Sequence, residues 1–264
     1  MESLFKRFFS NNYIFLSAKL SLNTIHILKK NIIIIPVKDS LNTLRETVRS
    51  IGSETDNLEY YIFDDFSTTE TRQWLEENSE EYGYQVIGLE KHTIKKSPNY
   101  RTILLMAREL SIKKNAHLVI VESDVIVHPE TITGLNRLAD ELPDAGLIGS
   151  VTVDREGKVN FPYLYAATDG KSGTYVSEHS ISFCCTLLTN NFLQKFNFNE
   201  LPETLDWFDV PITKKSRAVG FKNYISKDLP VFHQPHGSRP WKMLKYKNPI
   251  LYYLKKFIFR RDRI

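Results

Sequence analysis

The stretch Asn31-Ile-Ile-Ile-Ile-Pro-Val-Lys-Asp-Ser40 places four consecutive isoleucines before a proline and a short polar turn. A β-branched run that stops at proline is typical of a strand that is buried on both faces, as in parallel sheets. It predicts a strand over Asn31–Val37. Apolar residues then recur at helical spacing up to Ile51, with Ser40 as the expected N-cap of the helix.

The same alternation continues along the chain. Strands are predicted at 60–63, 84–89, 118–121 and 146–153, and helices around Trp74 and after Pro98 and Pro129. Alternation over about 120 residues favours βαβ units and a mostly parallel sheet, so the predicted class is α/β. Beyond residue 150 the pattern predicts a strand over 181–188, a helix over 206–219, and two short strands at 224–225 and 231–232.

The composition is that of a globular protein. Of 264 residues, 42% are hydrophobic and 25% are charged, which excludes disordered, collagen-like and low-complexity classes for the chain as a whole. The cysteines, Cys184 and Cys185, are adjacent and cannot form a disulfide framework or a metal site alone. They lie in an apolar run, which predicts a place in the core and is compatible with a reducing compartment.

The net charge of +4 is unevenly distributed. Residues 1–30 contain five basic and one acidic side chain, and residues 240–264 contain eight basic and one acidic, so the body between them is acidic. Both ends are also rich in aromatic and aliphatic residues, yet neither reaches the roughly 20 apolar residues that span a bilayer. Two interpretations remain open: helices in a membrane interface, or terminal helices packed on the body. Without a signal-peptide pattern we expect a cytoplasmic protein, attached in the first interpretation to the inner face of the cell membrane. No motif accompanies the basic residues that would indicate nucleic-acid binding.

Two acidic segments follow predicted strands, where α/β sheets bind ligands. The segment Glu122-Ser123-Asp124 contains two carboxylates, those of Glu122 and Asp124. In many sites Mg²⁺ or Mn²⁺ is bound jointly by such carboxylates and by the phosphates of the substrate. The alternative is a solvated acidic loop. Asp64-Asp65 could accept hydrogen bonds from a nucleoside, or could instead cap the following helix.

Two later segments carry further candidates. His233 and His236 follow a predicted strand and could be structural residues or metal ligands. Asp206-Trp207-Phe208-Asp209 opens the predicted helix over 206–219. An aspartate there can be a helix cap, or a general base that accepts a hydroxyl proton.

Taken in chain order, these segments resemble the motifs of family 2 glycosyltransferases with the GT-A fold, over roughly residues 31–240. The resemblance is carried by Asn31–Ser40, Ile62-Phe-Asp-Asp-Phe-Ser-Thr68, Ala107–Ile112 with Arg108, Val121-Glu-Ser-Asp-Val125, Trp207-Phe-Asp-Val210 followed by Arg217 and Gly220, and Val231-Phe-His233 through Gly237-Ser238. This chain departs from the family pattern at four positions, which are Phe66 for glycine, Glu109 for asparagine, Glu122 for aspartate and Phe208 for glutamate.

The resemblance implies a metal-dependent inverting transferase. It would move a sugar from a nucleotide-diphosphate donor to an acceptor hydroxyl. The basic, apolar ends of the chain suggest that the acceptor is a glycan or a lipid-linked precursor at the membrane, in surface glycan or polysaccharide biosynthesis. Mn²⁺ or Mg²⁺ would be bound by Glu122, Asp124 and His233, and Asp209 would be the base, with Asp206 as a rival. The donor site would contain Pro36, Asp39, Asp64, Asp65, Arg108, Glu122, Ser123 and Asp124. In it, Asp39 or Asp65 would lie near the nucleoside, and Asp64 is the better candidate for the nucleobase.

The resemblance also implies a donor-binding part over 31–150 and an acceptor-binding part over 151–240. Charge and composition set apart an N-terminal basic, apolar extension over 1–30 and a basic amphipathic tail over 241–264. Two other functions remain as alternatives. A sugar nucleotidyltransferase usually begins with a Gly-rich phosphate loop, but here the first strand is followed by Val37–Ser40, which has no glycine. A non-catalytic binding protein with this fold is suggested by Phe66 and Phe208.

Overall fold

The computed structural model describes residues 30–52, 58–203, 205, 207–234 and 248–258, without the side chains of 249 and 255–257. The strands in this part of the chain are β1 (Asn31–Val37), β2 (Leu58–Asp64), β3 (Tyr84–Gly88), β4 (His117–Val121), β5 (Val125–Ile126), β6 (Ala145–Val153), β7 (Thr174–Val176), β8 (Cys185–Leu188) and β9 (Lys222–His233). The α-helices are α1 (Leu41–Ile51), α2 (Thr69–Glu77), α3 (Ser79–Tyr82), α4 (Tyr100–Lys113), α5 (Thr131–Glu141), α6 (Asn190–Lys195), α7 (Asp209–Ala218) and α8 (Pro249–Ile258).

The described strands form one mixed sheet in the order β3-β2-β1-β4-β8-β6-β9-β5, with β7 paired to β9. The strands β3, β2, β1 and β4 are parallel, and β9 is parallel to β6. By contrast, β8 runs antiparallel between β4 and β6, and β5 runs antiparallel to the end of β9. This sheet with flanking helices confirms the predicted α/β class.

The isoleucine run explains the two-sided core. Alternate residues of a strand point to opposite faces of the sheet. Accordingly, Ile32 and Ile34 pack with Ile103 and Leu104 of α4, while Ile33 and Ile35 pack on the other face with residues of α1 and α5. All four isoleucines are buried, so the run is the strand buried on both faces that its composition predicted.

Four local predictions were wrong. The two short strands near the end are one strand, β9, which continues through a register irregularity opposite Ser150 and Thr152. The strand predicted over 181–188 begins only at Cys185, and the helix predicted over 206–219 begins at Asp209. Ser40 does not cap α1 through its side chain, because its backbone is left-handed (φ 52°) and its hydroxyl is directed to the Lys38 carbonyl.

Other expectations are confirmed or fall outside the described residues. Cys184 and Cys185 are both buried, as predicted. Within the described ranges, the helices are all too short or too polar to cross a bilayer. Residues 1–29 of the predicted N-terminal extension (1–30), Asp206 and His236 lie outside the part of the chain that the structure describes.

Candidate active site

The acidic turn after β4 meets two distant segments because of strand register. In the antiparallel β4–β8 pair, Val121 lies opposite Cys185, and one step further the Glu122 N–H donates to the Cys184 carbonyl at 2.9 Å. In the β5–β9 pair, Val125 lies opposite His233. The sheet therefore brings Cys184 and His233 to the turn that contains both carboxylates.

Three of these side chains form a potential metal-binding group. Glu122, Cys184 and His233 each offer one ligand atom, and these atoms lie within 4.8 Å of one another. The Cys184 thiol donates to Glu122 Oε2 at 3.3 Å. Asp124 adjoins the group, because its Oδ2 lies 3.4 Å from His233 Nε2.

The orientation of His233 is fixed by its other ring nitrogen. Nδ1 lies 2.8 Å from the Phe161 carbonyl oxygen, which can only accept a hydrogen bond. Nδ1 therefore carries the hydrogen, and Nε2 is the ring atom directed toward Asp124. A backbone carbonyl on the non-ligating nitrogen is a common way to orient a metal-binding histidine.

The electrostatics of this group fit a divalent cation. Burial raises the pKa of Glu122, and the neighbouring Asp124 carboxylate raises it further. Burial lowers the pKa of His233, but the hydrogen bond and the charge of Asp124 outweigh this and raise the pKa overall. Negative groups that are crowded and partly desolvated are stabilised by a bound cation.

Asp209 lies close enough to the acidic turn for its charge to act on Glu122. It is the first residue of α7 and is half-buried, and its Oδ1 accepts from the Val210 N–H at 2.8 Å. Its charge acts on both Glu122 and Tyr100, so these groups share one electrostatic environment. The structure thus brings together Asp209 and the carboxylates after β4, which are more than 80 residues apart in sequence.

Sequence reasoning missed Tyr100 and Cys184. The Tyr100 ring stacks on Phe208 at 6.1 Å, and its hydroxyl is buried without a hydrogen-bond partner among the described residues. Burial, together with the charges of Glu122 and Asp209, raises the Tyr100 pKa well above its usual value. No local sequence pattern indicated a functional role for Tyr100. The apolar run around Cys184 predicted only that this residue lies in the core.

Asp64 and Asp65 are buried and bonded to the protein itself. Asp64 Oδ1 accepts from the Ser67 N–H at 2.9 Å, and its Oδ2 accepts from Arg72 Nε at 3.2 Å. Asp65 accepts from the Ser97 hydroxyl at 2.7 Å and from the Asn99 N–H at 2.8 Å. Both carboxylates therefore hold the loops at the ends of β2 and β3 in place.

Asp39 is the more accessible carboxylate at this edge. Its Oδ1 accepts from the Thr68 N–H at 2.7 Å, and its Oδ2 lies 2.8 Å from Lys38 Nζ. The hydrogen bond from Lys38 lowers the pKa of Asp39, so the side chain is ionised at neutral pH. Asp39 (φ 59°) and Phe66 (φ 61°) both have left-handed backbones, which is a costly conformation for a residue as bulky as phenylalanine.

The remaining predicted donor-site residues occupy different places. Pro36 lies in β1 opposite Phe63, beyond the residues that pair with β4. Ser123 is in the acidic turn and is half-buried. Arg108 is on α4, and its Nε donates to the carbonyls of Leu193 and Phe196 at 2.9 and 2.8 Å. That contact joins α4 to α6.

The fold and this cleft together define a class of protein. A mixed, mostly parallel sheet flanked by helices, in this strand order, is the GT-A fold of glycosyltransferases. The chain belongs to glycosyl transferase family 2, whose family model matches residues 32–196.

Solved structures with this fold include three glycosyltransferases. The mannosyltransferase PcManGT of Pyrobaculum calidifontis, in complex with GDP-Man and Mn²⁺, superposes with a TM-score of 0.59 at 14% identity, over 88% of this chain and 65% of that chain. S. aureus TarS 1–349 in complex with UDP-GlcNAc gives a TM-score of 0.58 at 16% identity, over 78% and 59%. GalNAc-T7 with UDP, GalNAc and Mn²⁺ gives a TM-score of 0.56 at 14% identity, over 79% and 44%.

A curated relative is much longer than this chain. The uncharacterized protein y4gI of Sinorhizobium fredii (strain NBRC 101917 / NGR234) is 23% identical in an alignment of 255 residues that covers 85% of this chain and 27% of that protein. The chain therefore spans about a quarter of y4gI and less than two thirds of each of the three structural relatives.

Proposed function

We propose that this protein is a metal-dependent inverting glycosyltransferase that uses a nucleotide-diphosphate sugar. The observation that carries the proposal is the clustering of Glu122, Asp124 and His233 beyond the ends of β4 and β9, where the charge of Asp209 also acts on Glu122. Family membership and the solved relatives that contain nucleotide-sugars support the donor class.

Glu122, Asp124 and His233 would hold the metal ion. Mn²⁺ is present in two of the relatives, and Mn²⁺ and Mg²⁺ both suit sites that include diphosphate oxygens. When bound, such an ion neutralises the charge that builds up on the departing nucleoside diphosphate.

Asp209 would act as the general base. A carboxylate at the start of a helix stays ionised more easily, because the helix dipole favours negative charge there. It would accept the proton of the acceptor hydroxyl as that oxygen attacks the anomeric carbon. One displacement with one base inverts the configuration of the sugar.

The loops after β1 and β2 would bind the nucleoside. Asp39, which is ionised and partly exposed, would accept hydrogen bonds from the donor, while Asp64 and Asp65 would keep the loops after β2 and β3 in position. Pro36 and Ser123 would border this donor site. Arg108 would act at a distance, by anchoring α6 to α4. In this scheme residues 31–150 bind the donor and residues 151–240 the acceptor.

A nucleotide panel tests this function. We expect one of UDP, GDP, CDP or dTDP, with Mn²⁺, to raise the melting temperature of the full chain by several degrees, since ligand at 100 times its Kd adds about 2.7 kcal/mol of stability. The same nucleotide without metal should give a much smaller shift. A thermal scan by fluorescence measures both.

The alternatives give different results in the same samples. The absence of a shift with every nucleotide would favour the non-catalytic binding protein. Release of pyrophosphate from a nucleoside triphosphate and a sugar phosphate would instead favour a nucleotidyltransferase.

We also propose that the C-terminal tail contacts an anionic membrane surface at the cytoplasmic face, where the acceptor would be a glycan or lipid-linked glycan of a surface polysaccharide pathway. Helix α8 exposes an apolar stripe in which Ile250 is 83%, Leu254 54% and Ile258 60% exposed. Residues 240–264 also carry eight basic side chains against one acidic. Apolar and basic residues together suit an interfacial helix, to which each cation contributes about 1 kcal/mol.

Replacing the apolar stripe should release the protein from vesicles. The triple variant Ile250→Ser, Leu254→Ser, Ile258→Ser keeps every charge but loses the inserted surface, so its co-sedimentation with vesicles of phosphatidylglycerol and phosphatidylcholine should fall at least about tenfold. Leu164→Ser, which removes an exposed apolar side chain from the body of the protein, is the control. Equal binding of the triple variant and wild type would contradict the proposal, as would equal binding to uncharged vesicles.

A further inference from the structure

Phe66 has an unfavourable backbone conformation that its neighbours hold in place. Its φ of 61° lies in the left-handed region, where a bulky side chain is rarely found. Lys38 Nζ donates a hydrogen bond to the Phe66 carbonyl at 2.6 Å. The next residue, Ser67, donates its N–H to Asp64 and accepts the Asp39 N–H on its Oγ, each at 2.9 Å. Strain that is held in this way is concentrated at functional sites, so we looked for a role of the side chain.

The Phe66 ring lies at the edge of the sheet where the parallel strands β1, β2 and β3 end. It packs against the core residues between the sheet and α4 but is only half-buried. Lys96 Nζ lies over the ring, 4.9 Å from its centroid. Lys96 belongs to the segment after β3, in which Lys91 and Lys95 are also exposed. This edge therefore presents a partly exposed aromatic ring together with several cations.

We propose that the Phe66 ring stacks on the nucleobase of the donor and thereby sets the affinity for the nucleotide. The inference rests on the proposed function and deepens it, because it assigns the surface that binds the face of the base. Ligands of α/β sheets bind beyond the carboxyl ends of the strands, where this ring lies. Asp39, on the adjacent loop, can accept hydrogen bonds from the edge of a base, but a carboxylate offers no surface on which its face can stack.

The contact with Lys96 does not prevent stacking. Lys96 is exposed, and a cation over phenylalanine at an exposed position is a weak contact compared with a nucleobase stacked on an aromatic side chain. A base can therefore displace the ammonium group from the ring. The displaced cation then remains beside a ligand that carries the negative charge of a diphosphate.

Three substitutions of Phe66 separate stacking from simple packing. Phe66→Tyr keeps the aromatic face, Phe66→Leu keeps an apolar side chain on the same left-handed backbone, and Phe66→Gly removes the side chain and relieves the backbone. The measurement is the Kd of UDP, GDP, CDP and dTDP with Mn²⁺, by isothermal titration calorimetry on the full chain. For the nucleotide that wild type binds most tightly, the leucine and glycine substitutions should raise Kd at least about fivefold, and Phe66→Tyr should stay within about twofold.

Tyr82→Leu is the matched control. Tyr82 is also half-buried and stacks on another ring, that of Trp74 at 6.5 Å, but it precedes β3 and so lies at the opposite end of that strand. Its substitution should leave the nucleotide Kd unchanged. Circular dichroism checks the fold of each variant, and Phe66→Gly replaces Phe66→Leu in the comparison if the leucine variant does not fold. An unchanged Kd in the folded leucine variant would overturn the inference, as would equal losses in the leucine and tyrosine variants.

Failure of this inference can be told apart from failure of the proposed function. If a nucleotide binds equally to wild type and to the leucine variant, the stacking role is wrong and the proposed function remains. If no nucleotide binds to wild type with Mn²⁺, the proposed function fails and the inference fails with it.

Discussion

Replacement of Asp209 by asparagine should lower sugar transfer by about 10²–10⁴-fold, the contribution typical of a general base. Asparagine has nearly the same shape as aspartate but cannot accept the proton of the attacking hydroxyl. The rate is measured as release of nucleoside diphosphate from the donor that the nucleotide panel identifies, with water as the acceptor. Binding of the nucleotide with metal should be unchanged, because Asp209 lies outside the metal-binding group.

Asp206→Asn is the comparison that assigns the base. Both aspartates belong to the segment that precedes and opens α7, and Asp206 is the rival candidate from the sequence. We expect the Asp206 variant to retain a rate close to that of wild type. A wild-type rate in the Asp209 variant, or a loss confined to the Asp206 variant, would reject the assignment of Asp209.

Asp124→Ala should abolish the metal-dependent part of the nucleotide stabilisation, a loss of about 2.7 kcal/mol at ligand concentrations 100 times the wild-type Kd. Asp124 is buried beside His233 Nε2, so its removal takes away negative charge that the cation needs. The measurement is the thermal shift with the identified nucleotide, with and without Mn²⁺.

Asp140→Ala provides the control for this second substitution. Asp140 is an exposed carboxylate on α5, so removing it changes the net charge equally without touching the cleft. Its shift should match that of wild type. A full metal-dependent shift in the Asp124 variant would show that the ion, if it binds, does not depend on this carboxylate.

The central part of the fold could be predicted from local sequence. Four consecutive isoleucines before Pro36 strongly favour a strand that is buried on both faces, which is β1. The helical spacing of apolar residues after Ser40 predicts the helix α1. Predicted boundaries for the parallel strands differ from those observed by at most a few residues. The predicted boundaries were wrong where tertiary contacts decide them. At β9, pairing with β6 joins the two predicted short strands into one.

The candidate site was only partly predictable, for a similar reason. The sequence alone determined that the turn Glu122–Asp124 would follow a buried strand, because strand ends and the side chains beside them are fixed by local pattern. Only the tertiary structure decided what meets that turn. Cys184 arrives through the register of β4 with β8, and His233 through the register of β5 with β9.

The same distinction separates the paired aspartates from the base candidate. In the sequence, Asp64 and Asp65 resemble carboxylates that bind a ligand. In the structure they accept hydrogen bonds from the protein itself, Asp64 from Arg72 and Asp65 from Asn99. Asp209 looks like a simple helix start, yet packing places it in the environment of Glu122 and Tyr100. Local sequence fixes which residue types stand at the end of an element, whereas partners far away in the chain are selected by strand register and packing, which no short stretch of sequence encodes.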